Sequence, residues 1–225
     1  MKLEIYRPVI SHKITQGWGE NKACIYPNGK IVGKRGGTCP SGSQDFYKSI
    51  GMLGHNGFDL STHHGEPVYH AGHFDGRMSV EKDRSGGIGV DITSLEPLEL
   101  ADGTKEYIKL RYWHLKAPVG HDGKIVKMGE QIGLADNTGA SSGDHLHFGA
   151  KKTFADGRPK NRNNGYNGAF DLTPYCDYSM DAKTKAEYLY QKAPVISEQE
   201  RKEMLSQLSL ARQLLNLLLE LKRRM

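Results

Sequence analysis

Histidines and a carboxylate recur at even spacings in two parts of the chain. His145 and His147 are two residues apart, so on a β-strand both side chains project from the same face. His55 and Asp59 are four residues apart, and Gly57 lies between them on the face that they would share. A glycine there leaves open a space into which any side chain would intrude. The spacing therefore predicts that these polar groups are gathered at one site.

The residue types indicate a metal site with groups for proton transfer beside it. Two neutral imidazoles and one carboxylate are a typical set of ligands for a catalytic zinc ion, with a fourth position left for water. A further histidine, His114, follows Tyr112 and Trp113 in a stretch with strand character. Imidazoles that do not bind the metal could move protons, because their unperturbed pKa lies close to neutral pH.

Short strands separated by glycine-rich turns must position these groups. Residues 106–113 alternate between polar and apolar types, and residues 86–92 and 127–133 are glycine-punctuated strand patterns. The chain contains 27 glycines. Many short strands with frequent turns predict an antiparallel all-β domain, a small β-sandwich or partly open barrel. Residues 20–54 have an irregular pattern and are predicted to be a long surface loop that borders the site.

The C-terminal part of the chain has helical patterns. Residues 179–196 are predicted to be a linker or a short helix, and residues 197–225 an amphipathic Leu-rich helix. Ser197 and Glu200 form a capping box at its start. Apolar residues then recur at helical spacing in two adjacent seams. Three interpretations stay open: a helix docked on its own β-domain, a coiled coil with a partner or a second copy, and a membrane-surface helix.

Composition limits the classes of partner. The formal net charge is +5, which suits an anionic partner such as nucleic acid, a membrane surface or a cell wall. The sequence shows no aromatic-and-basic motif of a nucleic-acid module, so nucleic acid is not expected. No apolar run approaches the roughly 18 residues that span a bilayer. The first residues lack the apolar segment of a secretion signal.

The three cysteines leave two alternatives open. Cys24 and Cys39 flank a glycine-rich segment and could form a disulfide in an oxidising compartment, with Cys176 left free. Free thiols at all three positions are equally compatible with the sequence. No CxxC pair is present, so a cysteine zinc site is not expected.

Several motifs together resemble those of lysostaphin-type zinc endopeptidases, bacterial and phage enzymes that cut the peptide part of peptidoglycan. The resemblance covers residues 50–150 and follows the order and approximate spacing of the family's motifs. In this sequence they read His55-x-Gly57-x-Asp59, Tyr112-x-His114-Leu115, and Thr138-Gly139-x-Ser141-x-Gly143-x-His145-Leu146-His147-Phe148. The resemblance implies the family's small antiparallel β-sandwich, with the metal in a groove framed by loops.

The resemblance also implies a role for each motif residue. The ligands of one Zn²⁺ per chain would be His55, Asp59 and His147. The remaining two histidines, His114 and His145, would jointly assist the attacking water and the transition state. From the sequence itself we add candidates for contact with the substrate or support of the site, which are Asn56, Trp113 and Asp144.

The resulting expectation is a zinc-dependent endopeptidase that hydrolyses stem peptides or cross-bridges of peptidoglycan with a metal-activated water. Residues 1–178 would form its domain, with the motif core at 50–150 and a loop insertion at 20–54. It would act at the cell wall, for example as an endolysin released at cell lysis or as a virion-borne enzyme. One alternative is a non-catalytic module that binds wall peptides or activates another enzyme, docked through its C-terminal helix. A second is a zinc endopeptidase acting on proteins or other peptides.

Overall fold

Most of the chain that the computed structural model describes is built from short β-strands. The described residues are 1–11, 13–192, 199, 202–203, 206–207, 209–210 and 213–214. The chain divides into two units, Met1–Tyr188 and Leu189–Met225, and the strands belong to the first.

The elements follow one another with short connections. The strands are β1 (Ile5–Arg7), β2 (Ile14–Gln16), β3 (Ala23–Ile25), β4 (Ile31–Gly33), β5 (Gln44–Asp45), β6 (Phe58–Ser61), β7 (Pro67–Tyr69), β8 (Gly76–Asp83), β9 (Gly87–Ser94), β10 (Leu98–Glu99), β11 (Lys105–Pro118), β12 (Ile125–Val126), β13 (Gln131–Ala135), β14 (His145–Thr153) and β15 (Cys176–Asp181). Within residues 1–192 as described, the helices are α1 (Phe46–Ser49) and α2 (Ala182–Lys192), and a 3₁₀ turn spans Thr173–Tyr175.

One large antiparallel sheet forms the body of the first unit. Its strands follow the order β12-β8-β9-β11-β14-β6-β2, and β13 connects β11 with β7. The central strand β11 is 14 residues long and pairs with β9 on one side and β14 on the other. This architecture confirms the prediction of a mainly β, antiparallel domain.

The core lies under one face of the central strands. On β14 the side chains of Leu146 and Phe148 are fully buried, and Leu110 and Tyr112 of β11 are buried with them. Burying such a side chain contributes about 1.5–3 kcal/mol. The alternate residues of β14, which include both of its histidines, project from the opposite face. The buried face therefore fixes the register that places the polar face.

The segment at residues 20–54 is not the structureless loop expected from the sequence. It contains a small sheet in the order β4-β3-β5, followed by the single-turn helix α1. A disulfide joins Cys24 to Cys39 and resolves the alternative left open above in favour of the bridge. Asp45 caps α1 by accepting a hydrogen bond from the backbone N–H of Lys48. The strands have two or three residues each, which is too short for an alternating pattern to be recognised.

The two ends of the first unit meet in a parallel pair. Strand β1 pairs with β15, and Ile5 lies opposite Cys176. Strand β15 crosses residue 178, where the sequence placed the domain end, and α2 follows it directly. Asp181 begins this helix by accepting hydrogen bonds from the backbone N–H and the hydroxyl of Thr184.

Much of the Leu-rich helix predicted for residues 197–225 lies outside the described residues. Those described between 199 and 214 are helical, and Leu210 and Leu214 are exposed. The proposed coiled coil stays a prediction. Among the described residues, no helix combines the length and apolarity needed to cross a membrane.

Candidate active site

Two neighbouring strands bring together most of the candidate ligands. On β14, His147 lies directly opposite Asp59 of β6, and on its other side opposite Trp113 of β11. The Nδ1 atom of His147 is 3.2 Å from Oδ1 of Asp59, and Nε2 of His145 is 3.6 Å from the same oxygen. Both histidines of β14 therefore reach the same carboxylate, as their even spacing predicts.

His55 reaches the site from outside the strand. The sequence placed His55 and Asp59 on one strand face, but β6 begins only at Phe58, and His55 lies in the turn before it. Backbone hydrogen bonds to Gly19 and Glu20 hold that turn. The imidazole still points at the carboxylate, with 3.0 Å between Nε2 of His55 and Oδ1 of Asp59.

Gly57 has a different role from the one predicted. A Cβ at this position would lie 2.5 Å from the carbonyl oxygen of Phe148 and 3.0 Å from Cε1 of His147. The space is therefore occupied by β14 rather than left open between two ligands. The absent side chain lets the turn that carries His55 approach the strand that carries His147.

The geometry of His55, Asp59 and His147 fits a zinc ion. Their ligand atoms lie 2.9–3.2 Å apart, and the three side chains are between 3 and 15% exposed. Ligands at a Zn–N distance of about 2.0–2.1 Å in a tetrahedral site are on the order of 3.3 Å from one another. Nδ1 of His55 donates to the carbonyl oxygen of Gly17, which leaves the lone pair of Nε2 directed at the other two ligands.

The pKa values of Asp59 and His147 favour the protonation states that bind a metal ion. Burial raises the pKa of Asp59, but the neighbouring His55 and His147 outweigh it and hold this pKa well below its usual range. Burial lowers the pKa of His147 to about 3. An ionised carboxylate and a neutral imidazole are the forms that bind a divalent cation.

His114 is fixed beside the ligands by an irregularity in β11. The register of β11 with β9 shifts between Tyr112 and Leu115, and His114 adopts a left-handed conformation with φ of 64°. Its Nδ1 donates to the carbonyl oxygen of Thr138 over 2.6 Å, so Nε2 is the free acceptor. Burial, together with the neighbouring His145, lowers the pKa of His114 to about 4.

In His145, as in His114, Nδ1 is bound to a backbone carbonyl oxygen and Nε2 is the remaining ring nitrogen. Its Nδ1 donates to the carbonyl oxygen of Gly143 over 2.8 Å, and its Nε2 faces Asp59. The ring centroids of His114 and His145 are 4.7 Å apart. Two imidazoles with fixed tautomers therefore offer acceptor atoms beside the three candidate ligands.

A groove of about 910 Å³ opens over these groups. Asn56 and Trp113, two of the predicted substrate contacts, line it, and so do His114 and His145. Asp144 is not among the described residues that line the groove. Its carboxylate instead lies within 4.8 Å of ligand atoms of His64 and Asp136, on an exposed part of the surface.

Comparison with known proteins identifies the domain. Residues 53–162 match Peptidase family M23. These residues form a lysostaphin-like M23 peptidase domain. The match includes every ligand and histidine candidate and confirms the resemblance found in the sequence.

The chain is similar to curated and solved proteins, and it spans about a fifth of the length of the first of these relatives. It is 37% identical over 98 residues to peptidoglycan DD-endopeptidase ShyB of Vibrio cholerae, which covers 43% of this chain and 20% of that protein. A zinc-containing peptidase from Vibrio cholerae is 28% identical with a TM-score of 0.45, covering 68% of this chain and 37% of that one. The catalytic domain of lysostaphin from Staphylococcus simulans is 24% identical with a TM-score of 0.43, covering 73% and 91%.

Sequence reasoning missed a buried tyrosine in the groove of the M23 domain. Tyr47 of α1 lines the groove, and its ring centroid is 6.0 Å from that of His55. Its hydroxyl oxygen accepts a 2.8 Å hydrogen bond from Nε2 of Gln16. Burial raises the pKa of Tyr47, so the hydroxyl stays protonated. The tyrosine was overlooked because residues 20–54 were expected to be loop.

Proposed function

We propose that the M23 domain is a zinc-dependent endopeptidase that cleaves peptide bonds in the stem peptides or cross-bridges of peptidoglycan. One observation carries the proposal. Three ligand atoms lie 2.9–3.2 Å from one another, and the two histidines beside them line the same groove. The similarity to a protein named peptidoglycan DD-endopeptidase supports the choice of substrate.

His55, Asp59 and His147 would hold the metal. A bound Zn²⁺ supplies a Lewis acid that polarises the scissile carbonyl and makes water more acidic. The carbonyl of Gly17 orients His55 through its Nδ1–H, and the pairing of β6 with β14 orients Asp59 and His147. Since these contacts already fix the ligands, few side-chain rotations would be needed to form the site.

His114 and His145 would move the protons. In both histidines Nδ1–H is held by a carbonyl oxygen, so the ring can accept a proton only at Nε2. The Nε2 atom of one would take a proton from the attacking water. The imidazolium formed would donate that proton to the leaving amine.

We also propose roles for residues 197–225 and for the protein as a whole. Residues 197–225 would form an amphipathic helix that docks a partner or a second copy. The whole protein would act at the cell wall.

Digestion of purified peptidoglycan tests the proposal directly. Zinc-loaded protein is incubated with walls of several chemotypes, with and without a chelator, and new amino termini are identified by mass spectrometry. His147→Ala removes one ligand, and His63→Ala is the matched control, since His63 is exposed and lies outside the groove.

We expect new termini with the wild type and His63→Ala, and none with the chelator or with His147→Ala. Intact walls in the presence of fully zinc-loaded wild type would overturn the proposal. Cleavage of casein without cleavage of walls would overturn the choice of substrate.

A further inference from the structure

Lys151 is a buried lysine on the strand that carries His147. It lies four residues beyond His147 on β14, so both side chains project from the same face, about 13 Å apart along the strand. Lys151 is only 6% exposed. Within the described part of the chain, Nζ of Lys151 has no hydrogen bond or ion pair. The stem of the side chain is buried, whereas the ammonium reaches the pocket that Lys151 lines.

Other cations surround this lysine. Lys109 lies directly opposite Lys151 on β11, and Arg111 and Arg162 line the same pocket. The carboxylate of Asp91 is already shared among three donors, Nε1 of Trp113 at 3.0 Å, Nε of Arg111 at 3.3 Å and Nζ of Lys109 at 3.7 Å. The centre of the pocket therefore has more positive than negative charge.

Three further charged residues line the pocket, and they do not cancel its excess of positive charge. Glu81, Lys82 and Asp83 also line the pocket. The carboxylate of Asp83 is already bound to the backbone N–H groups of Ser85 and Gly86. Burial and the repulsion of Arg111 together lower the pKa of Lys151 to about 7, and an anion bound beside it would raise this pKa again.

The pocket is an extension of the catalytic groove. It has a volume of about 310 Å³ and shares Arg111, Trp113 and Arg162 with the groove above the candidate ligands. A peptide that lies in the groove could therefore place an acidic group beside Lys151 while a bond elsewhere in it lies at the metal site.

We propose that the pocket formed by Lys109, Arg111, Lys151 and Arg162 is a subsite that binds a carboxylate of the peptide substrate. This inference rests on the proposed peptidase function and adds a specificity determinant to it. The carboxylate could be the C-terminal one or that of an acidic residue within the peptide, and both would bind as charge-assisted acceptors.

Peptide binding to zinc-loaded protein, measured by titration calorimetry, tests the subsite. The probes are the synthetic stem pentapeptide of bacterial walls with its carboxylates free, the same peptide with all of them converted to carboxamides, and two peptides with only the terminal or only the internal carboxylate converted. The proteins are wild type, Lys151→Met, and Lys105→Met as the matched control, since Lys105 is exposed on the same sheet. Arg162→Gln, a change at an exposed position, provides a second variant if Lys151→Met does not fold.

We expect the wild type and Lys105→Met to bind the free acid about tenfold to a hundredfold more tightly than the full amide, as for hydrogen bonds to a charged group. In Lys151→Met this ratio should fall close to one, and in Arg162→Gln it should fall part of the way. The single amide that weakens binding identifies which carboxylate is bound. Equal affinities for acid and amide in the wild type, or an undiminished ratio in both variants, would overturn the subsite.

Wall digestion by the same preparations separates this result from the function itself. If the protein cleaves walls but does not distinguish the acid from the amide, the subsite proposal is wrong and the proposed peptidase function stands. If it prefers the acid but cleaves nothing, the proposed function is wrong and the pocket still binds a carboxylate.

Discussion

His114 has an unusual backbone conformation for a residue with a side chain. Its φ of 64° lies in the left-handed region, which costs about 1–3 kcal/mol for residues other than glycine. The backbone N–H donates to Gly86 and the ring to Thr138, so contacts from two other segments hold the conformation. The strain is therefore maintained by the fold, and it directs Nε2 towards the ligands.

Replacing this imidazole should reduce catalysis without removing the metal. We expect His114→Ala to lower kcat about 10²- to 10⁴-fold on peptidoglycan, because a positioned acid–base group contributes about that much. Zinc content, measured by mass spectrometry of the native protein, should stay at the wild-type value. Loss of zinc from the variant would show that His114 is a ligand instead.

His70 is a second buried histidine, away from the ligands. It is fully buried, with Nε2 donating to the carbonyl oxygen of Phe74 over 2.9 Å and Nδ1 accepting from the hydroxyl of Tyr112 over 3.1 Å. The carbonyl oxygen of Phe74 can only accept, which assigns the Nε2–H tautomer, and the hydroxyl oxygen of Tyr112 also accepts from the N–H of Ala71. Both bonds of His70 require a neutral ring, and burial lowers its pKa to about 4.

This lowered pKa predicts acid sensitivity. Between pH 6.5 and about 4 the unfolded chain binds a proton at residue 70 and the folded protein does not, so the free energy of unfolding falls as the pH falls. The loss amounts to about 3 kcal/mol across this range. Urea unfolding of metal-free wild type and His70→Gln at pH 7.5 and 4 measures it. A glutamine can form both hydrogen bonds without titrating, so the variant should lose less stability, and equal losses would contradict the assignment.

Among the secondary-structure elements, the turn before β6 and the strand β14 set the positions of the candidate ligands. Those positions depend on how closely the turn approaches the strand. Gly57 permits this approach, because a Cβ there would collide with the carbonyl oxygen of Phe148. The same turn places His55. The backbone packing at Gly57 therefore also determines the position of the His55 imidazole.

Gly57→Ala should lower both the stability of the fold and the affinity for zinc. We expect a loss of about 1–3 kcal/mol in unfolding free energy, typical of overpacking, together with weaker zinc binding in competition with a chelating dye. Gly143→Ala is the matched control, because Gly143 also lies near the site but has no atom within 4 Å of an added Cβ. Similar behaviour of the two variants would show that close approach at Gly57 is not what positions His55.

Elements with a clear alternating pattern could be predicted from the sequence, and the others could not. Strands β9, β11 and β14 have eight or more residues, which is enough for alternation to be read. The bulge at His114 could not be read, because it depends on the carbonyl groups of Gly86 and Thr138, which are distant in sequence. The offset between His55 and Asp59 correctly predicted proximity, although the turn that produces it is not a strand.

In the whole molecule, the sheet of β3, β4 and β5 supports one side of the groove. Its disulfide joins Cys24, which is fully buried, to Cys39, and Tyr47 of the following helix lines the groove. The link closes a loop of 15 residues, for which the chain-entropy contribution is about 3 kcal/mol.

Removing the disulfide should loosen this side of the groove selectively. In the double variant Cys24→Ala, Cys39→Ala we expect faster amide hydrogen exchange at residues 20–54, lower kcat/KM on walls and an unchanged zinc content. Cys176→Ala controls for loss of a thiol, since Cys176 is free. Uniformly faster exchange over all strands would mean that the disulfide stabilises the whole unit rather than this segment.

The fold class and the gathering of the five motif residues were thus accessible from the sequence, and the long-range features were not. Three of the five motif residues, His114, His145 and His147, lie on the long strands β11 and β14, whereas Asp59 lies on the four-residue strand β6 and His55 in the turn before it. The basic pocket around Lys151 was not anticipated, because it forms only when the sheet places Lys109 of β11 opposite Lys151 of β14 and Arg111 of β11 opposite Asp91 of β9.

The parallel pairing of β1 with β15 determines how the unit responds to mechanical force. If the chain is pulled at both ends, β1 is drawn towards its amino end and β15 towards its carboxyl end, which are opposite directions along two parallel strands. The hydrogen bonds between them are then loaded in shear, all at once, rather than opened one after another. Under tension between the two ends of this unit, the sheet that carries Asp59 and His147 would stay folded until this short pair separates.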